Sequence, residues 1–162
     1  MQKSYLRLFA VLLLFSIMTF TTSCSDNDDD HNDANKTDLL VGKQWYPTRY
    51  EEEDEGKVID VTTSWLRDCQ KDDYLFFEEK GIFMSSSGNI QCGDNSGADL
   101  DGEGTWSWKN DNKVLSMVWP IVTIDQEVLS LSATELQVRY EITNGPNPAD
   151  KGFLVTTYNT RN

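Results

Sequence analysis

Three cysteines, one histidine and a large stock of carboxylates are the residues of this 162-residue chain whose types could support chemistry. A Ser-His-Asp or Cys-His nucleophile needs an imidazole beside the attacking atom. The only histidine, His31, stands in the polar run Ser25–Lys36, which contains no apolar residue larger than Ala. No such nucleophile is therefore expected, and no Cys/His zinc cluster either. Carboxylate pairs such as those in Glu51-Glu52-Glu53-Asp54-Glu55 and Glu78-Glu79 could serve a glycosidase, but in turns of so acidic a chain they read as solvated surface. The glycine-rich stretch Gly93–Gly104, GDNSGADLDGEG, lacks the Gly-Lys-Ser/Thr ending of a phosphate loop. Its Asp94, Asp99, Asp101 and Glu103 miss the spacing of an EF-hand calcium loop. The expectation is a protein that is not an enzyme, with no cofactor and no metal.

The cysteines carry a different message. Residues 1–23 combine a basic start (Lys3, Arg7) with an apolar run from Leu8 to Phe15 that continues through Ile17, Met18 and Phe20, the pattern of a signal peptide and too short for a spanning helix. Phe20-Thr21-Thr22-Ser23-Cys24 resembles a bacterial lipobox, in which the cysteine becomes the lipidated first residue of the mature chain; a plain secretory signal is the alternative. Residues 24–38 then read as the lipidated cysteine and an acidic tether with nothing to bury. A serine and an acidic cluster just after that cysteine resemble a signal for the outer face of the outer membrane, so an outer-membrane lipoprotein at the cell surface is expected, a periplasm-facing anchor being the alternative. With Cys24 acylated, Cys69 and Cys92 remain. A bridge between them would close a 24-residue loop, stabilising the fold by about 3 kcal/mol; two separate buried thiols are the other reading.

Lys and Arg number 14 against 27 Asp and Glu, a net charge of −13; removing the leader takes away Lys3 and Arg7, leaving 12 − 27 = −15. Nucleic acid and anionic headgroups, which need basic surface, are excluded as partners. Contact with a membrane is expected through the lipid anchor only.

The elements that must position any binding residues lie in 39–162, enough for one domain with one core. Alternation dominates: Leu136, Val138, Tyr140 and Ile142 share one face, and Gln137, Arg139, Glu141 and Thr143 the other, as in a strand with one wet side. Strands are expected at Gln44–Tyr50, Val58–Thr62, Tyr74–Phe77, Ile82–Ser86, Gly104–Lys109, Val114–Trp119, Ile121–Leu129, Glu135–Thr143 and Phe153–Tyr158. Their short connections predict an all-β meander of eight or nine antiparallel strands closing into an up-and-down barrel.

Leu39-x-x-Gly42-x-x-Trp45, Cys69-x-x-Asp72-Asp73-x-Leu75-x-Phe77-x-x-x-Gly81-x-Phe83, Cys92, Gly104-Thr105-Trp106 and Leu131-Ser132-x-x-Glu135-Leu136-x-Val138, taken in this order, resemble the bacterial lipocalin-like lipoprotein domain family. The resemblance implies a small cup-shaped barrel. Alternation then places Leu75, Phe77, Trp106, Trp108, Val138 and Tyr140 on its inner wall, with a mouth built by the loops Gly93–Gly104 and Asn144–Lys151. Two functions fit. One is non-catalytic binding of a small apolar or amphipathic molecule. The other is a structural or interaction module, an accessory subunit or inhibitor that contacts a protein partner through its loops, with Trp and Phe filling the barrel.

Because multiple acyl chains hold a protein at a membrane where a single one barely does, Cys24→Ser should move the protein from the membrane to the soluble fraction. Unchanged fractionation rejects the anchor.

Overall fold

The structure is a computed structural model that describes residues 36–90, 92–93, 101–143 and 151–161. The leader, Cys24, His31 and most of the tether lie outside these residues, as do Asp94, Asp99 and most of the two mouth loops expected at Gly93–Gly104 and Asn144–Lys151.

Nine strands are described: β1 (Gln44–Asp54), β2 (Lys57–Asp60), β3 (Tyr74–Phe77), β4 (Ile82–Ser86), β5 (Gly102–Lys109), β6 (Val114–Val118), β7 (Thr123–Leu131), β8 (Glu135–Thr143) and β9 (Lys151–Asn159). Each of β3 to β9 pairs antiparallel with the next, and β1 pairs with both β3 and β9. Eight strands thus form a closed antiparallel barrel, and β2 is an extra strand on β1, as the alternation predicts. Tight polar turns make the meander possible. Asn110, Asp111 and Asn112 all adopt left-handed backbone, with φ of 53°, 53° and 58°, which Asn and Asp tolerate best among non-glycine residues.

Several expected boundaries shift: β2 begins at Lys57, β5 at Gly102, β6 ends at Val118, β7 at Leu131, and β9 spans Lys151–Asn159; three further shifts have clear reasons. β1 runs on to Asp54 instead of stopping at Tyr50, because Glu51–Glu53 pair with Val155–Phe153 of β9 on one side and with Asp60–Val58 of β2 on the other. The acidic run is therefore strand, and the turn falls at Glu55-Gly56, where φ is positive. Thr62 leaves the second strand to begin a helical turn, Thr62–Trp65. β7 starts at Thr123, since Pro120 cannot donate to a ladder; Ile121 stands 95% exposed.

Strand directions give the barrel two unlike ends. At one end the connections are short and helical residues 36–40 lie against the lumen. Lys36 Nζ donates to Asn112 O at 2.9 Å, and Thr37 Oγ1 accepts from Trp108 Nε1 at 3.1 Å. Lys36 and Thr37, ahead of residue 39, are thus tied to this end of the barrel. Above this floor pack Leu40, Trp45, Phe77, Phe83, Trp106, Leu115, Met117, Leu136 and Val138, all buried. Phe77 meets Trp106 edge-on at 5.8 Å, and Trp106 meets Trp108 at 6.0 Å, the geometry that ring quadrupoles favour. Buried indoles need acceptors: Trp45 Nε1 donates to Leu40 O at 2.8 Å and Trp106 Nε1 to Glu78 O at 2.9 Å.

Gly104 is a condition of that packing. A Cβ there would lie 2.5 Å from the Phe83 ring and 2.5 Å from Val118 O. Gly104→Ala should lower stability in urea unfolding by about 1–3 kcal/mol, the usual cost of overpacking. Gly102→Ala, on the same strand with nothing within 4 Å of its Cβ, should be near neutral; equal effects reject the close approach.

Candidate binding site

Above the packed floor the lumen is not filled. A cavity of about 280 Å³ opens at the other end, lined by Pro47 and Tyr50 of β1, Tyr74 and Leu75 of β3, Ser85 and Ser86 of β4, Met117 of β6, Ile124 and Gln126 of β7, Tyr140 of β8, and Thr156 and Tyr158 of β9. Gln70, Asp73, Ser87 and Trp119 complete the lining from the connections. An eight-stranded barrel is just wide enough for side chains or for one small ligand. This one divides its length between the two.

The six residues expected on the inner wall are all buried or half-buried, but they lie at different depths. Leu75 and Tyr140 line the cavity. Phe77, Trp106 and Val138 belong to the packed core, with Trp108 against it, so these four make the floor rather than the cavity wall. The alternation holds, because Leu75 and Phe77 share a face of β3 and Val138 and Tyr140 share a face of β8; each pair straddles the boundary between floor and cavity. Trp119 and Tyr158 were readable on the same principle, as continuations of Leu115-x-Met117-x-Trp119 and Leu154-x-Thr156-x-Tyr158. Tyr50 was not. Alternation from Trp45 and Pro47 points Arg49 inward, but the β1–β9 register shifts between Pro47 and Arg49. The bulge reverses the faces, so that Tyr50 turns in and Arg49 turns out to meet Glu51 at 2.9 Å and Asp60 at 3.4 Å.

The mouth is strapped. Beyond Trp45, β1 leaves β3 and takes β2 as its neighbour, and residues 61–73 cross the space between them. Thr62 Oγ1 accepts from Tyr50 N at 3.0 Å, Trp65 stacks on the Tyr50 ring at 6.2 Å, and Trp65 Nε1 donates to Glu52 at 3.3 Å. Cys69 and Cys92 are bridged, with Cα atoms 5.3 Å apart, which ties the strap to the β4–β5 connection. Asp72 reinforces that tie: its carboxylate accepts from Asn89 N at 2.6 Å and Ile90 N at 3.0 Å. Gly88 allows the approach, since any Cβ there would lie 2.5 Å from Asp72 O.

Tyrosine hydroxyls dominate the polar part of the wall. Burial, with the neighbouring charges of Tyr140 and Asp73, pushes the Tyr50 hydroxyl up to about 12. Burial raises Tyr140 as well, and burial together with Tyr50 and Tyr140 raises Tyr158 well above the ordinary tyrosine value. All three are neutral donors and acceptors across the physiological range. Trp119 Nε1 is buried without a hydrogen-bond partner among the described residues. Among those residues, no group of three or more His, Cys, Asp or Glu side chains is placed to hold a metal ion.

A profile for a lipocalin-like domain matches residues 40–138. Among solved structures, the crystal structure of a lipocalin-like protein from Bacteroides uniformis ATCC 8492 is similar at 16% identity, covering 73% of this chain and 97% of that one with a TM-score of 0.42. Among curated proteins nothing matches.

The tyrosine shifts set an alkaline limit on stability. A tyrosine with a raised folded value keeps its proton where the unfolded chain has lost it, so its contribution is complete below pH ~10 and lost as pH rises through the folded value. For Tyr50 that window runs from 10.0 to about 12. The melting temperature should therefore fall above pH ~10, and Tyr50→Phe should make the fall shallower. Tyrosinate absorbance appearing at its ordinary pH from every tyrosine of the still-folded chain contradicts the assignment.

Proposed function

The chain belongs to the lipocalin-like domain family, and from that premise we propose that it is a non-catalytic binding protein whose cavity takes a small amphipathic molecule. The observation that carries this reading is the 280 Å³ cavity above a packed floor. It lies just below the ~300–1,000 Å³ range of ligand pockets, which suits a small ligand, and mixes apolar wall with a few polar groups, as such pockets do. Leu75, Met117 and Ile124 supply the apolar surface; the tyrosines, Ser85, Gln126 and Thr156 supply hydrogen bonds. The barrel family is one of binding proteins in general, and the chain offers no histidine within the domain for acid–base or nucleophilic chemistry.

The proposal includes the anchor. Residues 1–23 act as the leader, Cys24 as the lipidated residue and the acidic run as a tether, so that the domain stands off the outer membrane at the cell surface. No helix among the described residues is long and apolar enough to cross a membrane.

A second reading, an interaction module that contacts a protein partner, draws on the rim at the β6–β7 connection, where Ile121 is 95% and Val122 46% exposed. One experiment separates the two. A neutral apolar fluorophore added to the purified protein should bind and quench tryptophan emission, and Tyr140→Ala should weaken that binding several-fold. Trp106→Ala, in the floor, should mainly lower stability by about 3–5 kcal/mol, the usual range for a buried aromatic. Absence of any probe binding to the folded protein rejects the ligand reading in favour of the module.

A further inference from the structure

Three tyrosines of the cavity wall come from adjacent strands and gather around one short side chain. Tyr50 of β1 and Val138 of β8 stand on either side of Thr156 of β9. Side chains return to the same face every second residue, so Tyr140 is the next inward position along β8 and Tyr158 the next along β9. The rings of Tyr50, Tyr140 and Tyr158 therefore surround Thr156, and all four residues line the cavity. The tyrosines are close enough that Tyr50 and Tyr140 both act electrostatically on Tyr158.

Among the described residues, none gives these three hydroxyls a hydrogen-bond partner. A polar group taken out of water carries a cost until it is paired. Three unpaired hydroxyls on one cavity wall thus point to a ligand that supplies their partners.

The wall also limits the kind of head that ligand can have. Among the described residues no Lys, Arg or His side chain lines the cavity, and its one acid, Asp73, has an interaction of its own within the protein. A charged head of either sign would leave water without an open counter-charge to receive it. A carboxylate or phosphate would in addition meet the field of a chain carrying −13. An uncharged oxygen meets neither penalty, because a neutral tyrosine hydroxyl both donates and accepts.

Resting on the binding reading above, we propose that the ligand carries an uncharged oxygen head, a hydroxyl or carbonyl on a small apolar body, held by the hydroxyls of Tyr50, Tyr140 and Tyr158 while the body lies against Leu75, Met117 and Ile124.

Four probes that share a naphthalene body and differ in the head test this: naphthylmethanol, methylnaphthalene, naphthylacetate and naphthylmethyl-trimethylammonium, each measured by equilibrium dialysis against the purified full chain. Naphthylmethanol should bind most tightly, about three- to tenfold ahead of methylnaphthalene, the worth of one net hydrogen bond, and further ahead of both ions. Tyr50→Phe, Tyr140→Phe and Tyr158→Phe remove only a hydroxyl, and each should shrink the ratio of alcohol to hydrocarbon affinity. A merely structural effect would lower both affinities together and leave that ratio alone. Should a variant fail to fold, the comparison of the four heads in the unmutated chain still decides. Equal affinity for the alcohol and the hydrocarbon, tighter binding of either ion, or a ratio unmoved by all three variants overturns this inference while leaving a binding protein. Failure of all four probes to bind overturns the binding reading and this inference together.

Discussion

The ladder between β1 and β9, running from Tyr46 opposite Asn159 to Glu53 opposite Phe153, joins the first long strand of the domain to the last and turns a meander into a ring. Without it both strands would present long unpaired edges, the liability that closure removes. With it the sheet gains an inside and an outside, and every side chain is assigned to one of them by its parity along a strand. β1 achieves this only by bulging at Thr48. The bulge lets one strand pair with β3 through Gln44 and Trp45, then with β9, and finally with β2 as well.

Closure creates a lumen, and the residues inside decide how much of it survives. Large rings enter from neighbouring strands at one level. Phe77 of β3 pairs across to Phe83 of β4, Phe83 to Gly104 of β5, and Trp106 of β5 to Met117 of β6. Gly104 is small because the Phe83 ring occupies the place its side chain would take. One level further up, the facing positions carry Leu75, Ser85, Ile124, Gln126 and Thr156, which are shorter, and the space they leave is the cavity. The floor supplies rigidity and the upper layer supplies capacity. A single strand contributes to both.

The open end is the less regular half, and its order comes from cross-links rather than from ladders. The strap is held to β1 by Thr62 and Trp65, and to the β4–β5 connection by Cys69–Cys92 and Asp72. These contacts set the position of Gln70 and Asp73, the lining residues that come from the strap. The covalent bridge thus bears on the site as well as on stability. It limits how far the strap beside Asp73 can move away from the β4–β5 connection.

Much of this was readable beforehand, and for one reason. Alternation with period two reports which face a residue occupies, so Leu75, Phe77, Trp106, Trp108, Val138 and Tyr140 were all recognisable as facing inward. The cysteine count left Cys69 and Cys92 as partners once Cys24 is set aside, and polar turn residues at 110–112 marked a tight reversal. Periodicity contains no information about depth along the barrel axis. That coordinate depends on register between strands far apart in sequence, and it alone separates Leu75 in the cavity from Phe77 in the floor. Nor can alternation foresee a bulge, which is why Tyr50 and the strand identity of Glu51–Asp54 emerged only from the fold. By itself the sequence determined that the chain forms an all-β barrel with an apolar interior, because local alternation and turn chemistry suffice for that. Tertiary structure decided that the interior is half filled and that its open half is lined by Leu75, Met117 and Ile124 together with Tyr50, Tyr140 and Tyr158, because those outcomes depend on which distant side chains meet at the same height.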